Sequence, residues 1–269
     1  MSSIAQALQD FQSLESLAAK DSALSALDAR AKILVTLGFI VTVVSFDRYA
    51  VAALLPLAFF PVVMAALGNI PGRLIGRAVL LASPFAVMLG AFNPLFDPQV
   101  ELRVAGVGIG GGWLSFASIL IRFALTVSAG LILVAGTGFA PLCVGLGRLG
   151  LPQVMTTQLL LLHCFTWVLA NEAARMSLAR ELRANGRSLA LAVYGPLLGH
   201  LLLRALQRAQ RIHQAMLARG FNGQLHRRAV MDWQRRDTVF VGVCLLGFVL
   251  VRQLDLVHEL GALVLGMVR

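Results

Sequence analysis

Charge is scarce in this 269-residue chain: Asp, Glu, Lys and Arg make up 13% of it, against about 25% in an ordinary soluble domain. Lysine is scarcer still, with only Lys20 and Lys32 among 23 basic residues. A Walker-type phosphate loop needs a lysine directly after its last glycine. The glycine cluster around Gly106–Gly112 has none, so the chain cannot cradle a nucleotide phosphate by that motif. The three cysteines, Cys143, Cys164 and Cys244, lie far apart in apolar surroundings. That excludes a CxxC pair, and with it a disulfide framework or a structural zinc site. The histidines at 163, 200, 213, 226 and 258 are scattered, without metal-ligand spacing. No convergent acids, histidines or nucleophile mark a catalytic centre. The opening residues lack a basic stretch followed by an apolar run, so no cleavable signal peptide is expected.

What is present is grease. Hydrophobic residues make up 58% of the chain and its mean hydropathy is +0.80, which places it in the membrane. Its net charge is +10. Cytoplasmic loops of membrane proteins collect Lys and Arg, so the basic balance argues for a membrane topology and not for nucleic acid as a partner. A spanning helix needs about 20 mostly apolar residues. Ala31–Phe46, Tyr49–Leu67, Leu74–Phe92 and Trp113–Phe139 are four candidates, and Thr238–Val268 holds a fifth, interrupted by Arg252, Asp255, His258 and Glu259. Between the third and fourth, Val100, Leu102 and Val104 alternate with Glu101 and Arg103, and the pattern resumes at Val107 and Ile109. This predicts a small β-hairpin outside the membrane, near 98–112. Ile4, Leu8 and Phe11 share one face of a possible short helix before the first span, which reads equally as a surface helix or a frayed tail.

Orientation follows from charge. With the N-terminus inside and alternating spans, the inside segments hold 18 Lys/Arg. Only Arg48, Arg103, Arg252 and Arg269 fall outside, and Arg122 lies within a span. The positive-inside rule favours this arrangement. The expected organisation is a cytoplasmic segment at 1–30, a four-helix transmembrane region at 31–140, a cytoplasmic region at 141–237 and a final span at 238–269.

Region 141–237 is too apolar for a soluble loop and too charged to span. Gln153–Leu182 reads as one long helix, apolar first and basic later, ending near Gly186. Leu189–Phe221 reads as a second, kinked near Gly195-Pro196. Leu198, Leu202, Leu206, Ala209, Ile212 and Met216 form its apolar stripe, and Arg204, Arg208 and Arg211 line another face. Glu172 is placed to pair with Arg175 three residues on. Each helix finishes on a small residue, a polar or basic residue and a glycine: Ala184-Asn185-Gly186 and Ala218-Arg219-Gly220. Alanine permits close approach, arginine offers a planar fork for a carboxylate, and glycine ends the helix without strain. Arginine and glycine also end many helices merely because they suit the dipole and the cap. Two such ends on two long amphipathic helices favour docking.

Over nearly its whole length the chain resembles the transmembrane T component of energy-coupling factor (ECF) transporters, a branch of the ABC importers. "DSALSALDARAKIL" resembles the segment entering that family's first span, with Asp28, Arg30 and Lys32 as charged markers, and "VELRVAGVGIGGG" sits where the family has a hairpin. "AMLARGF" closely matches the second of two Ala-Arg-Gly signatures. "LRANGRS" departs from the first: Asn185 stands where the family pattern has arginine, with Arg183 and Arg187 beside it as substitutes. The N-terminal stretch is similar to the cobalt-type (CbiQ-like) subgroup. The resemblance implies an all-α integral membrane protein with about five transmembrane helices, long cytoplasmic amphipathic coupling helices and a small extracytoplasmic β-hairpin. It implies a non-catalytic subunit in the bacterial inner membrane, serving cobalt or nickel uptake for cobalamin biosynthesis. Ala184, Asn185, Gly186, Ala218, Arg219 and Gly220 would dock two copies of a cytoplasmic ABC ATPase. The apolar stripes would face a substrate-binding membrane S component. ATP-Mg would be bound by the ATPases, and this chain would hold no metal or cofactor.

A self-sufficient secondary transporter or channel is the alternative. It expects buried polar groups along several spans, and the first three are almost free of them. A membrane enzyme is the third reading. Co-purification with ATPase subunits separates the first reading from the others.

Overall fold

The computed structural model describes residues 22, 24–47, 51–93, 100–104, 107–184, 194–223 and 233–253. The expected helix around Ile4 to Phe11 and the end of the last span lie outside them. The chain divides into two compact units, one built from the described residues of Leu17–Gly138 and Met231–Arg269, the other from those of Phe139–Val230.

The first unit is a helical bundle. Helix α1 spans Ala29–Val44. The second predicted span is broken into α2 (Val51–Leu54), a 3₁₀ turn at Pro56–Ala58 and α3 (Phe59–Leu67). A single continuous helix over Tyr49–Leu67 was the expectation; Pro56, which has no N–H to give, divides it. Helix α3 ends on Asn69, at φ 49°, with Ile70 N–H reaching back to the Ala65 carbonyl at 3.0 Å. Helix α4 spans Gly72–Gly90. Its internal Pro84 leaves a carbonyl without a backbone donor, and the Ser83 hydroxyl donates to that same Leu80 oxygen at 2.8 Å. In lipid no water would supply the bond. Strands β1 (Val100–Val104) and β2 (Val107–Gly110) pair antiparallel, with Leu102 opposite Ile109 and a shift in register between Val100 and Leu102. Helix α5 follows at Gly111–Thr137, and α9, the last described helix, spans Arg235–Gln253.

The core sits where α1, α2, α3, α5 and α9 meet. Phe39 stacks on Phe60 at 4.6 Å, and Phe248 meets both rings at 5.5 and 5.2 Å. Val35, Val43, Leu54, Leu57, Leu125 and Ala129 pack around them.

The ends of the bundle are polar, and they fix the direction of every helix. At one end the Asp28 carboxylate caps α1 by accepting from Arg30 N–H at 2.9 Å. The Asp28 N–H donates to Asp237 Oδ1 at 2.9 Å, and Asp237 Oδ2 accepts from Gln234 N–H at 2.8 Å, capping α9. Lys32, 1% exposed, lies between the charges of Asp28 and Asp237. At the other end Arg252 donates to the Ser45 carbonyl (3.0 Å) and to the Ser45 hydroxyl. Arg122 donates to the Asp47 carbonyl and to Ser118 Oγ. Both arginines thus satisfy oxygens just beyond the C-terminus of α1, where cations are favoured. Leu24 lies against Gly68 and Gly136, which puts the ends of α3 and α5 beside the start of α1. Among the described residues the helical passes therefore alternate in direction. Gly136 and Asp237 lie at the same end, so the chain leaves this bundle and re-enters it there.

Removing the Asp237 carboxylate should unseat two helix starts at once. Breaking a buried ionic cluster by deleting one partner costs roughly 3–5 kcal/mol. The Asp237→Ala chain in detergent should melt roughly 6–20 °C lower than the unaltered chain. An unchanged midpoint would show that the cluster contributes nothing to stability.

Candidate functional site

The second unit begins with α6 (Phe139–Arg148), a helix for which the sequence reading made no provision. The signals were there: Gly138 and Gly150 take φ of 81° and 114°, which isolates the segment between them. Helix α6 lies on α7 (Gln153–Arg183), with Phe139 stacked on His163 at 4.8 Å. A Cβ at Gly147 would come within 2.8 Å of Thr156 Oγ1.

Helix α7 is 31 residues long. Its first part, Gln153 to Ala170, carries no charge; Glu172, Arg175, Arg180, Glu181 and Arg183 follow. Helix α8 spans Tyr194–Ala218. Pro196 therefore falls in its first turn, where a missing N–H costs nothing, and the described helix starts at Tyr194 where a kink was expected. The two helices run antiparallel. Thr157 donates to the Gly223 carbonyl at 3.2 Å near one end, and Glu172 pairs with Arg204 further along. The sequence reading paired Glu172 with Arg175; the antiparallel neighbour brings Arg204 to it instead.

The expected apolar stripe of α8 is split. Ala209, Ile212 and Met216 line a cleft against Leu161 and Phe165 of α7. Leu198, Leu202 and Leu206 are 64%, 62% and 54% exposed. Leu197, Leu201 and Ala205 are half-buried instead.

The two tips fall at opposite ends of this pair. At the end of α8, Gly220 takes φ 79°. Its N–H donates to the Leu217 carbonyl and the Phe221 N–H to that of Met216, both at 3.0 Å. This is the Schellman arrangement, completed by an apolar pair, Met216 and Phe221, lining the same cleft. The sequence reading named Gly220 but not Phe221, although the position after a cap glycine is where such a residue is expected. Ala218, Arg219 and Gly220 are all exposed. At the end of α7, Ala184 is the C-cap residue, its N–H donating to the carbonyls of Arg180 (3.0 Å) and Glu181 (3.1 Å), and Arg183 is exposed in the last turn. Asn185, Gly186 and Arg187 lie outside the described residues. From Thr157, beside the α8 end, to Ala184 the helical rise separates the tips by about 40 Å.

Among the described residues no three His, Cys, Asp or Glu side chains come together as a metal site. His200 and His213 stand on the α8 face, and His226 and His258 lie outside the described residues.

Gly72–Gly90, Gly112–Thr137 and Gln153–Arg183 are long and apolar enough to cross a membrane. By length and composition they mark a helical membrane protein. The family model for the CbiQ cobalt transport protein matches residues 20–230, and the chain belongs to that family. It is accordingly a cobalt transport-associated membrane protein and a transporter component.

Gly220 should tolerate no side chain: an L-residue in the left-handed region costs about 1 kcal/mol. Gly220→Ala should therefore speed hydrogen exchange at the Phe221 amide roughly fivefold. Arg219→Ala, which leaves the cap geometry alone, should not. Equal exchange in both variants would mean that Gly220 does not set the tip.

Proposed function

We propose that the chain is the transmembrane coupling subunit, the T component, of an ECF-type ABC importer for cobalt or nickel. The observation that carries the reading is the placement of the two small–polar–glycine tips. Ala184, where the first begins, and Gly220 of the second stand at opposite ends of one antiparallel helix pair, about 40 Å apart, a separation that suits one contact with each of two ATPase subunits. Arg219 stands exposed on its capped end as a planar fork for a carboxylate.

The topology supports a one-sided arrangement of 141–237. Among the described residues of that region, α7 alone has the length and composition to span. If it crossed, α8 would have to cross back, because the chain leaves and re-enters the bundle at one end. Helix α8 carries Arg204, Arg208 and Arg211 in its middle, each costing about 3 kcal/mol at the centre of a bilayer. The segment therefore stays on the N-terminal, cytoplasmic side of the bacterial inner membrane, and the hairpin on the other.

In this mechanism the protein catalyses nothing. ATP and Mg²⁺ are held by the ATPases, whose closure moves the tips. The α7–α8 pair transmits the motion to a substrate-binding S component seated on its exposed leucines. Asn185 makes a weaker first contact than an arginine would, with Arg183 or Arg187 beside it.

Arg219→Glu tests the docking contact. If the contact is desolvated, leaving one charge unpaired costs roughly 3–5 kcal/mol, which weakens the complex by two to three orders of magnitude. Asn185→Asp should matter less, since no charge is reversed. ATPase retention and ATP-dependent uptake are compared at equal membrane levels; normal retention and transport by Arg219→Glu would reduce the tip to a helix cap. The orientation is read separately. Single cysteines beside Arg187 and Arg228 should react with an impermeant reagent from the cytoplasmic side only. Labelling from outside intact cells would overturn it.

A further inference from the structure

A second feature of the helix pair shares Arg183 and Leu198 with the proposed docking surfaces but rests on other residues. Between the C-terminal third of α7 and the N-terminal third of α8 lies a cavity of about 580 Å³. Arg175, Arg180 and Arg183 enter it from α7, and Arg204 and His200 from α8. Its one acid, Glu172, is taken by Arg204. Arg175, Arg180 and Arg183 have no carboxylate partner among the described residues, and the cavity carries a net charge of +3 with His200 neutral. Its volume lies within the range of ordinary small-molecule sites.

The cavity does not stand alone. Met176 and Leu197, which form part of its wall, also wall a small, mostly apolar groove of about 70 Å³ completed by Ala173, Ser177, Leu198 and Leu201. A ligand filling both would have an anionic head and an apolar tail. We infer that the site takes an anionic phospholipid, with its phosphate among the arginines and the first few carbons of an acyl chain against the groove.

Three physical points select this class. Guanidinium forks match phosphate oxygens in pairs. A free phosphate would leave the groove empty, and an acidic peptide would place charge against leucine and methionine. The position along α7 also suits a lipid head. The helix is uncharged from Gln153 to Ala170, and its charges begin at Glu172. Charge thus begins on α7 where the cavity begins, and basic pockets between helices on the cytoplasmic side are where anionic head groups bind.

The test uses the full chain in nonionic detergent, titrated with fluorescent phosphatidylglycerol or with phosphatidylcholine bearing the same acyl chains. The unaltered chain should prefer phosphatidylglycerol by at least about tenfold. Replacing Arg175 and Arg180 together by Gln should weaken that lipid roughly thirtyfold and abolish the preference. Arg208→Gln with Arg211→Gln removes the same charge from outside the cavity and should leave the preference within about twofold. Arg180→Lys keeps the charge but loses the fork, and should weaken binding severalfold. Met176→Glu, in the shared wall, should weaken lipid binding as well. The proposal is overturned if both double variants lose equally, since the attraction is then diffuse. It is also overturned if the two lipids bind alike, if inorganic phosphate displaces the lipid, or if Met176→Glu changes nothing. No ATPase is present in these titrations, so their failure leaves the docking contact of Arg219 untouched, and a failed docking contact leaves this site untouched.

Discussion

The hydrogen bond from the Asp28 N–H to the Asp237 carboxylate joins residues 209 positions apart, and the remaining order of the bundle depends on it. One oxygen of Asp237 takes the start of α1 while the other caps α9. Asp28 meanwhile caps α1 itself. Lys32 balances the two acids from within. The opposite end repeats the logic with reversed charge, Arg252 and Arg122 holding the oxygens at Ser45 and Asp47. Helix α1 is thus pinned at both ends to α9, in parallel, with Phe39, Phe60 and Phe248 packed between. Gly136 and Asp237 lie at the same end of this bundle.

The second unit is built on a different principle. Its two long helices touch through few polar bonds, and clefts of about 280 to 580 Å³ run between them. Their ends are nonetheless well defined, because α8 closes on a complete Schellman cap. Stiff helices with fixed ends and loose sides suit a part that must convey displacement along its length while its flanks stay free for other molecules.

Much of this was legible in the sequence, for reasons particular residues make plain. Gly220 announced the end of α8 because only a residue without Cβ enters the left-handed region cheaply. Hydropathy located α4 and α5 within a few residues because lipid demands long apolar runs. What failed was whatever depended on a partner far away in sequence. Glu172 lay three residues from Arg175, but its ion went to Arg204 on the other helix. Tyr49–Leu67 read as one span, and Pro56 divides its helix. The role of Asp237 was invisible, since nothing local marks a carboxylate as the anchor of the first helix.

That distance in sequence has a consequence for how the protein is made. Synthesis proceeds at about 5–20 residues per second, so Asp237 emerges roughly 10–40 s after Asp28. During that interval α1 holds Lys32 and Asp28 without the carboxylate that completes their cluster. A nascent helix in that state is poorly suited to release into lipid and must wait at the insertion machinery or at the interface. The first helix to be made is therefore among the last to be fully housed, and assembly of the bundle closes only when its final helix arrives.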